Sequence, residues 1–248
     1  TLSLHDALPI YFRVATAILF ALACMIAAYE MLWRTGLLKH KRIVVYTALM
    51  AAFVVMWSWC KTCSIFSGEI LWASMLLAVF LFASLLFCEL LAGHKEIQFS
   101  ALCVALFSGL IYPFLMGALV RLRGMEEGVY YILVAFIISM VADSGAYFAG
   151  RAFGKHKLAP VISPKKTVEG AVGGVILNIL GMLLYTFILN KCFGFTQVNY
   201  FFAAIYGLVG AFGPMLGDLT FSVAQRQVGI KDYGNLIPGH SGILDRFD

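Results

Sequence analysis

The chain has 248 residues, 62% hydrophobic and only 12% charged, with a mean hydropathy of +0.90, against roughly 45–50% and 25% in ordinary soluble domains. These proportions exclude a disordered chain and argue against a soluble globular enzyme; a chain this long and apolar holds several runs of about 20 residues, which predicts an all-α, polytopic membrane protein. The apolar runs are continuous rather than alternating, which removes an outer-membrane barrel, and the net charge of +5 lies between those runs, so it predicts loop topology and no nucleic-acid partner.

Residues 1–9 have neither the basic start nor the apolar core of a signal peptide, and are set aside as a terminal remnant. Seven membrane spans follow at about 10–33, 43–60, 70–92, 99–120, 129–150, 170–189 and 200–221. They divide into an N-terminal transmembrane region, 10–128, and a catalytic transmembrane region, 129–248, with two motif loops. Loops 34–42, 93–98, 151–169 and 222–248 share one side and carry 13 of the 18 basic residues. Basic loops stay in the cytoplasm, so the N-terminus is expected outside and those loops inside, as in a bacterial inner membrane. Six cysteines fall mostly in apolar runs and act there as small hydrophobes. The C-x-x-C of Cys60 and Cys63 has no second pair to complete a four-ligand zinc site.

The fifth span ends in Ala142-Asp143-Ser144-Gly145-Ala146-Tyr147, and Gly150-Arg151-Ala152-Phe153-Gly154-Lys155 follows. An aspartate cannot snorkel as a lysine can, so Asp143 is expected to face protein or a wet cavity, unless it simply pairs with Arg151. Next comes Ser163-Pro164-Lys165-Lys166-Thr167-Val168-Glu169-Gly170. A hydroxyl and then a carboxylate before an apolar run predict a helix start. Lys165 and Lys166 sit beside its positive end, where cations run against the dipole unless an anion is bound. The plainer alternative is that these basic residues only set topology or attract anionic lipid.

In the last region, Gly213-Pro214-Met215-Leu216-Gly217-Asp218 places a proline and a carboxylate inside an apolar segment. That predicts an interrupted helix lining a protein-buried or wet cavity. Gly213 and Gly217 alone could mean only close helix packing. Then follow Ser222, Gln225-Arg226, Gly229-Ile230-Lys231-Asp232, and Pro238-Gly239-His240-Ser241-Gly242-Ile243-Leu244-Asp245-Arg246-Phe247-Asp248. Carboxylates interleaved with cations describe a metal-plus-phosphate site, and hard oxygen ligands suit Mg²⁺. His240 lies in a glycine-rich turn where backbone N–H groups can approach an anion, or it is a structural hydrogen-bonder.

From Ser222 to Asp248 the string closely resembles the C-terminal signature of the phosphatidate cytidylyltransferase (CDP-diglyceride synthetase) family. The runs 143–147, 150–155 and 163–170 resemble that family's other characteristic stretch, so the resemblance covers about half the chain. It implies a membrane enzyme that converts CTP and phosphatidic acid to CDP-diacylglycerol and pyrophosphate with Mg²⁺ and room for a second cation, and it implies a homodimer. The expected metal ligands are Asp218 and Asp245, with Asp248 and Asp232 behind them. Lys231, Asp232, Asp245 and Arg246 join Asp218 in the catalytic set. Arg151, Lys165, Lys166, Arg226 and His240 are assigned to phosphate, and Asp143 with Ser222 to orienting nucleotide or metal-bound water. The sequence departs from the family in Gln225, where a lysine is common, and in Ser241, where a glycine is. The family usually continues past the position of Asp248 into one more membrane helix, so a further C-terminal helix is expected.

Three rival classes share some of these features. An ion-coupled transporter would also carry intramembrane Asp143 and Asp218 and a proline-broken helix, though no internal repeat is present. A CTP-dependent polyprenol kinase would release CDP instead of pyrophosphate, and a cytidylyltransferase for another lipid phosphate would differ only in its acceptor. A scaffold would use its polar loops only to bind lipid heads.

Overall fold

Hydrogen-bonding every backbone group within one segment is the only way an isolated apolar run satisfies its peptides in hydrocarbon, and the chain takes that solution throughout. A computed structural model describes residues 4–93, 96–194, 199–230, 232–234, 242 and 244, with side chains from Arg13 onward. Among them are seven helices long and apolar enough to cross a membrane. The all-α polytopic architecture read from the sequence is therefore the observed one.

The chain divides into two units. The first holds the described residues up to Val129 together with Asp232, Tyr233, Gly234, Gly242 and Leu244. It contains α1 (Leu4–Tyr29), which runs into a π-helical turn at Glu30–Arg34, then α2 (Lys41–Thr62) and α3 (Gly68–Ala92). The fourth span is α4 (Phe99–Leu106), a second π turn (Phe107–Ile111) and α5 (Tyr112–Gly124). Pro113 enters at the start of α5. A proline ring clashes with the carbonyl four residues earlier and lacks an N–H, and the π turn just before it absorbs the misfit. Leu32, Ile43, Val54, Phe82, Leu86 and Ala101 form the buried core of this unit. Leu76, Leu77, Phe80 and Leu81 of α3 stay exposed, as a lipid-facing surface should. Lys61 lies 4.9 Å from the ring centre of Trp72 and 5.5 Å from that of Trp57, an arrangement suited to the membrane–water interface.

The second unit, residues 130–230, contains most of α6 (Gly128–Phe153), a hairpin of β1 (Lys157–Ala159) and β2 (Ser163–Thr167), α7 (Val168–Cys192) and α8 (Tyr200–Val228). Small residues bring the helices together. A Cβ added to Gly145 would meet the Cα of Gly174 at 3.1 Å, and one on Gly170 would meet the Cα of Gly150 at 3.2 Å. Association in lipid depends on such close approach. Between α7 and α8, the buried Asn178 Nδ2 donates to Gly207 O at 3.0 Å.

Four expectations need correction. The helix carrying Pro214 is not interrupted: α8 runs unbroken from Tyr200 to Val228 with Pro214 inside it. Ser222, Gln225 and Arg226, read as loop, are its last two turns; α8 ends where Gly229 (φ 75°) enters the left-handed region and Ile230 N bonds back to Gln225 O, a glycine-dependent stop. The Gly213–Gly217 pair does not report close packing at Gly213, since a Cβ there meets nothing within 4 Å. The loop 151–169 also holds a two-stranded ribbon that periodicity did not signal, because its strands are too short and charged to alternate.

Candidate active site

Three helices and the hairpin of the second unit wall a cavity of about 500 Å³, within the usual range for small-molecule sites. Asp143, Tyr147, Gly150 and Arg151 enter it from α6 at spacings of four, three and one, successive positions along one helical face. Gly170, Gly174 and Val175 of α7 and Ala211, Met215 and Asp218 of α8 supply the other helical walls. The hairpin contributes Leu158, Lys165, Lys166 and Thr167. The glycines and alanines let three helices converge while leaving volume between them.

Local chemistry fixes where the lysines sit. β1 pairs antiparallel with β2, Lys157 opposite Thr167 and Ala159 opposite Ser163. Thr167 is the N-cap of α7, its hydroxyl accepting from Gly170 N at 3.1 Å, and Val168 N donates to His156 O at 2.9 Å. Glu169, in the first turn, accepts from the backbone N–H of His156 at 3.2 Å and meets its Nδ1 at 2.6 Å. The predicted helix start is thus present, with an acidic residue at the favourable end of the dipole. Lys165 and Lys166 lie immediately before it.

Lys166 forms an ion pair with Asp218 of α8. An ammonium carries three donors, so beyond Asp218 it keeps capacity for an anion in the cavity. Ser222 Oγ, one turn beyond Asp218, donates to Asp218 Oδ1 at 3.3 Å. Arg151 Nη1 donates to the hydroxyl of Tyr147 at 3.2 Å, and no ion pair joins Arg151 to Asp143 among the described residues. Three cations and two carboxylates therefore line one space. Among the described residues no group of three or more His, Cys, Asp or Glu is gathered. Asp143 and Asp218 nevertheless offer hard oxygen donors of the kind Mg²⁺ takes one or two at a time, sharing its other positions with phosphate and water.

Of the residues singled out by sequence, Asp143, Arg151, Lys165, Lys166 and Asp218 line the cavity, and Ser222 touches it through Asp218. Arg226 does not line it: its guanidinium reaches the backbone carbonyls of Ile162 at 3.5 Å and Ile230 at 3.4 Å, tying the hairpin turn to the end of α8. Asp232 is exposed and groups with the first unit. Lys231, His240, Asp245, Arg246 and Asp248 lie outside the described residues. Sequence reasoning assigned no role to Tyr147, Leu158, Val175 or Met215; the first is legible as the position one turn beyond Asp143, whereas the apolar three carry no signal distinguishing a cavity wall from lipid.

A sequence model of the cytidylyltransferase family matches residues 4–248. The chain belongs to that family. It is 47% identical over 123 residues to a phosphatidate cytidylyltransferase of Staphylococcus saprophyticus, covering 50% of this chain and 45% of the relative. It is 44% identical over 149 residues to one of Haemophilus influenzae, covering 57% and 50%, and 45% identical over 123 residues to one of Staphylococcus epidermidis, covering 50% and 45%. The chain thus matches about half the length of these relatives.

Proposed function

We propose that the protein transfers the CMP moiety of CTP to phosphatidic acid, giving CDP-diacylglycerol and pyrophosphate. The observation that carries this reading is a single cavity, walled by membrane-spanning helices, that holds Arg151, Lys165 and Lys166 against Asp143 and Asp218. An oxygen of the lipid phosphate attacks the α-phosphorus of CTP; the bond from that phosphorus to the bridging oxygen breaks, and pyrophosphate leaves. The attacking oxygen is already ionised at neutral pH, so neither a strong base nor a covalent enzyme intermediate is needed. The obstacle is charge, because two polyanions must be aligned, and fixed cations in a site of restricted water lower it.

Arg151, Lys165 and Lys166 bind and orient the phosphates. Asp218, held by Ser222, and Asp143 would hold Mg²⁺, with Asp245 and Asp248 as further ligands in this reading; the ion supplies polarisation of the phosphoryl group and support for the leaving pyrophosphate. Lys166, which pairs with Asp218, would be available to phosphate if a cation held that carboxylate. The concentration of basic residues in loops 34–42, 93–98, 151–169 and 222–248 favours a cytoplasmic-facing site in a bacterial inner membrane.

Membranes carrying the full-length protein, given labelled CTP and phosphatidate, should form a CDP-lipid and pyrophosphate in a Mg²⁺-dependent manner. Release of CDP with a phosphorylated lipid would replace this reading with a kinase. No product above that of an Asp218→Asn, Asp245→Asn double variant would end it.

A further inference from the structure

Glu30 is fully buried in the first unit, in the π-helical turn that ends the first span. Acidic side chains within membrane spans are rare and persist where something repays them, and a fully buried carboxylate needs hydrogen-bond partners even at a span's end. What surrounds Glu30 comes from the far end of the chain. Leu244 N donates to its Oε2 at 2.9 Å across 214 positions of sequence. A Cβ on Gly234 would lie 2.5 Å from Oε1, and one on Gly242 would lie 2.7 Å from Oε2 and 2.8 Å from Oε1. Backbone therefore approaches the carboxylate so closely from two places that any side chain at either would collide with it. Tyr233 and Leu244, 3% and 1% exposed, bury apolar side chains in the same unit.

We infer that Glu30 is the anchor of the C-terminal motif: its carboxylate grips the backbone around Gly234, Gly242 and Leu244, and so positions the charged residues that follow. Asp245 is one peptide unit, about 3.8 Å between Cα atoms, from the gripped residue. Leu244 is held by a hydrogen bond and a buried side chain, and Asp245, Arg246 and Asp248 are the charged residues that come next in the sequence. The inference rests on the cytidylyltransferase reading in so far as those residues serve the reaction; Glu30 itself is a positioning residue. Placing the acid in a π turn fits the habit of such turns to accompany functional sites. The glycines at 234 and 242 gain a reason that turn geometry alone does not give them.

The test uses the full-length protein in lipid nanodiscs. Hydrogen–deuterium exchange of the peptide containing Leu244 should quicken at least 10-fold in Glu30→Ala and stay near wild type in Glu30→Gln, whose amide oxygen still accepts, while peptides of α7 and α8 are unchanged. For cytidylyl transfer, Glu30→Ala should lose at least 10-fold in kcat per folded molecule with KM for CTP within about 3-fold, since small misplacements of reacting groups carry large rate penalties. Glu30→Gln should recover most of that loss. Unchanged exchange at Leu244, or a loss of thermal stability with wild-type kcat in the folded fraction, would overturn the anchor. If Glu30→Ala does not fold, Gly242→Ala decides, because it pushes the same contact apart from the motif side and should quicken exchange equally. The exchange measurement needs no turnover, so an inactive wild type would sink the proposed function without touching the anchor.

Discussion

Lys166 and Asp218 offer the sharpest test, because an ion pair across a cavity is either a structural brace or two functional groups waiting for ligand. The Asp218 side chain is 45% exposed and that of Lys166 22%, so the pair is screened, and its worth to stability is about 0.2–1 kcal/mol. In this size range 1 kcal/mol moves Tm by about 2–4 °C. Lys166→Met and Asp218→Asn should therefore each shift Tm by less than about 4 °C. Catalysis should respond on another scale. A charged hydrogen bond to phosphate is worth about 1.5–3 kcal/mol, which is about 10- to 150-fold in kcat/KM, so Lys166→Met should lose that much. Asp218→Asn should lose more, about 100-fold or beyond, because in the proposed reaction it removes the anionic ligand that would hold Mg²⁺ beside the phosphates. The double variant should be no better than the worse single one, as expected for groups acting in one unit. The assay is CDP-lipid formation from labelled CTP, paired with thermal unfolding in detergent. A buried brace behaves oppositely: each single change costs about 3–5 kcal/mol by stranding the other charge, and removing both restores it. A double variant that regains activity and stability would refute the functional assignment.

The helix crossing makes a prediction of its own: Gly170→Val should lower stability by about 1–3 kcal/mol through overpacking, since even a Cβ there meets Ala146 O at 2.7 Å and Gly150 Cα at 3.2 Å. Gly213→Ala, facing open space in α8, should instead gain about 0.5–1 kcal/mol; equal thermal shifts of the same sign would contradict the packing described. Thr167→Val removes the N-cap acceptor of α7 and should cost about 0.5–2 kcal/mol, with Thr167→Ser close to wild type in the same unfolding assay. For topology, a cysteine replacing Lys165 should resist membrane-impermeant thiol reagents in intact cells, and ready labelling would reverse the orientation.

The spans were legible because continuous apolar runs leave the backbone no alternative to helix, and all seven lie where hydropathy put them. Their ends were less so. α8 continues past the apolar run through Ser222 and Arg226 because charged residues at a membrane surface extend a helix as readily as they end one, and only Gly229 supplies a stop. Pro214 misled for a related reason. A proline removes one backbone hydrogen bond, and α8 carries that loss without a break. Asp143 and Asp218 could be found because polar residues in apolar surroundings must be repaid, and Lys165 and Lys166 because they precede a helix start, but that logic stops at apolar residues. Met215 and Val175 line the cavity with no sequence mark to set them apart from neighbours that face lipid.

The same rule, applied without regard to motif, points to Glu30 as strongly as to Asp218. It lies at the end of an apolar run, four residues before Arg34 and without a glycine-rich neighbourhood, so in sequence it reads as an ordinary helix-end ion pair and local context hides its use. Its partners are glycines and a leucine amide more than 200 positions away, and backbone partners leave no charge pattern in a sequence. A buried carboxylate can thus be matched either by side chains, as Lys166 matches Asp218, or by main chain, as Leu244 matches Glu30. The first kind is suited to exchange partners when substrate arrives, because a lysine has rotamers to spend. The second is suited to hold still, because moving it means moving the chain. In the proposed reaction the two arrangements would divide rigid placement from responsive charge, and variants at Lys166 and Glu30 should differ accordingly: the former in how tightly CTP is held, the latter in how fast the bound complex turns over.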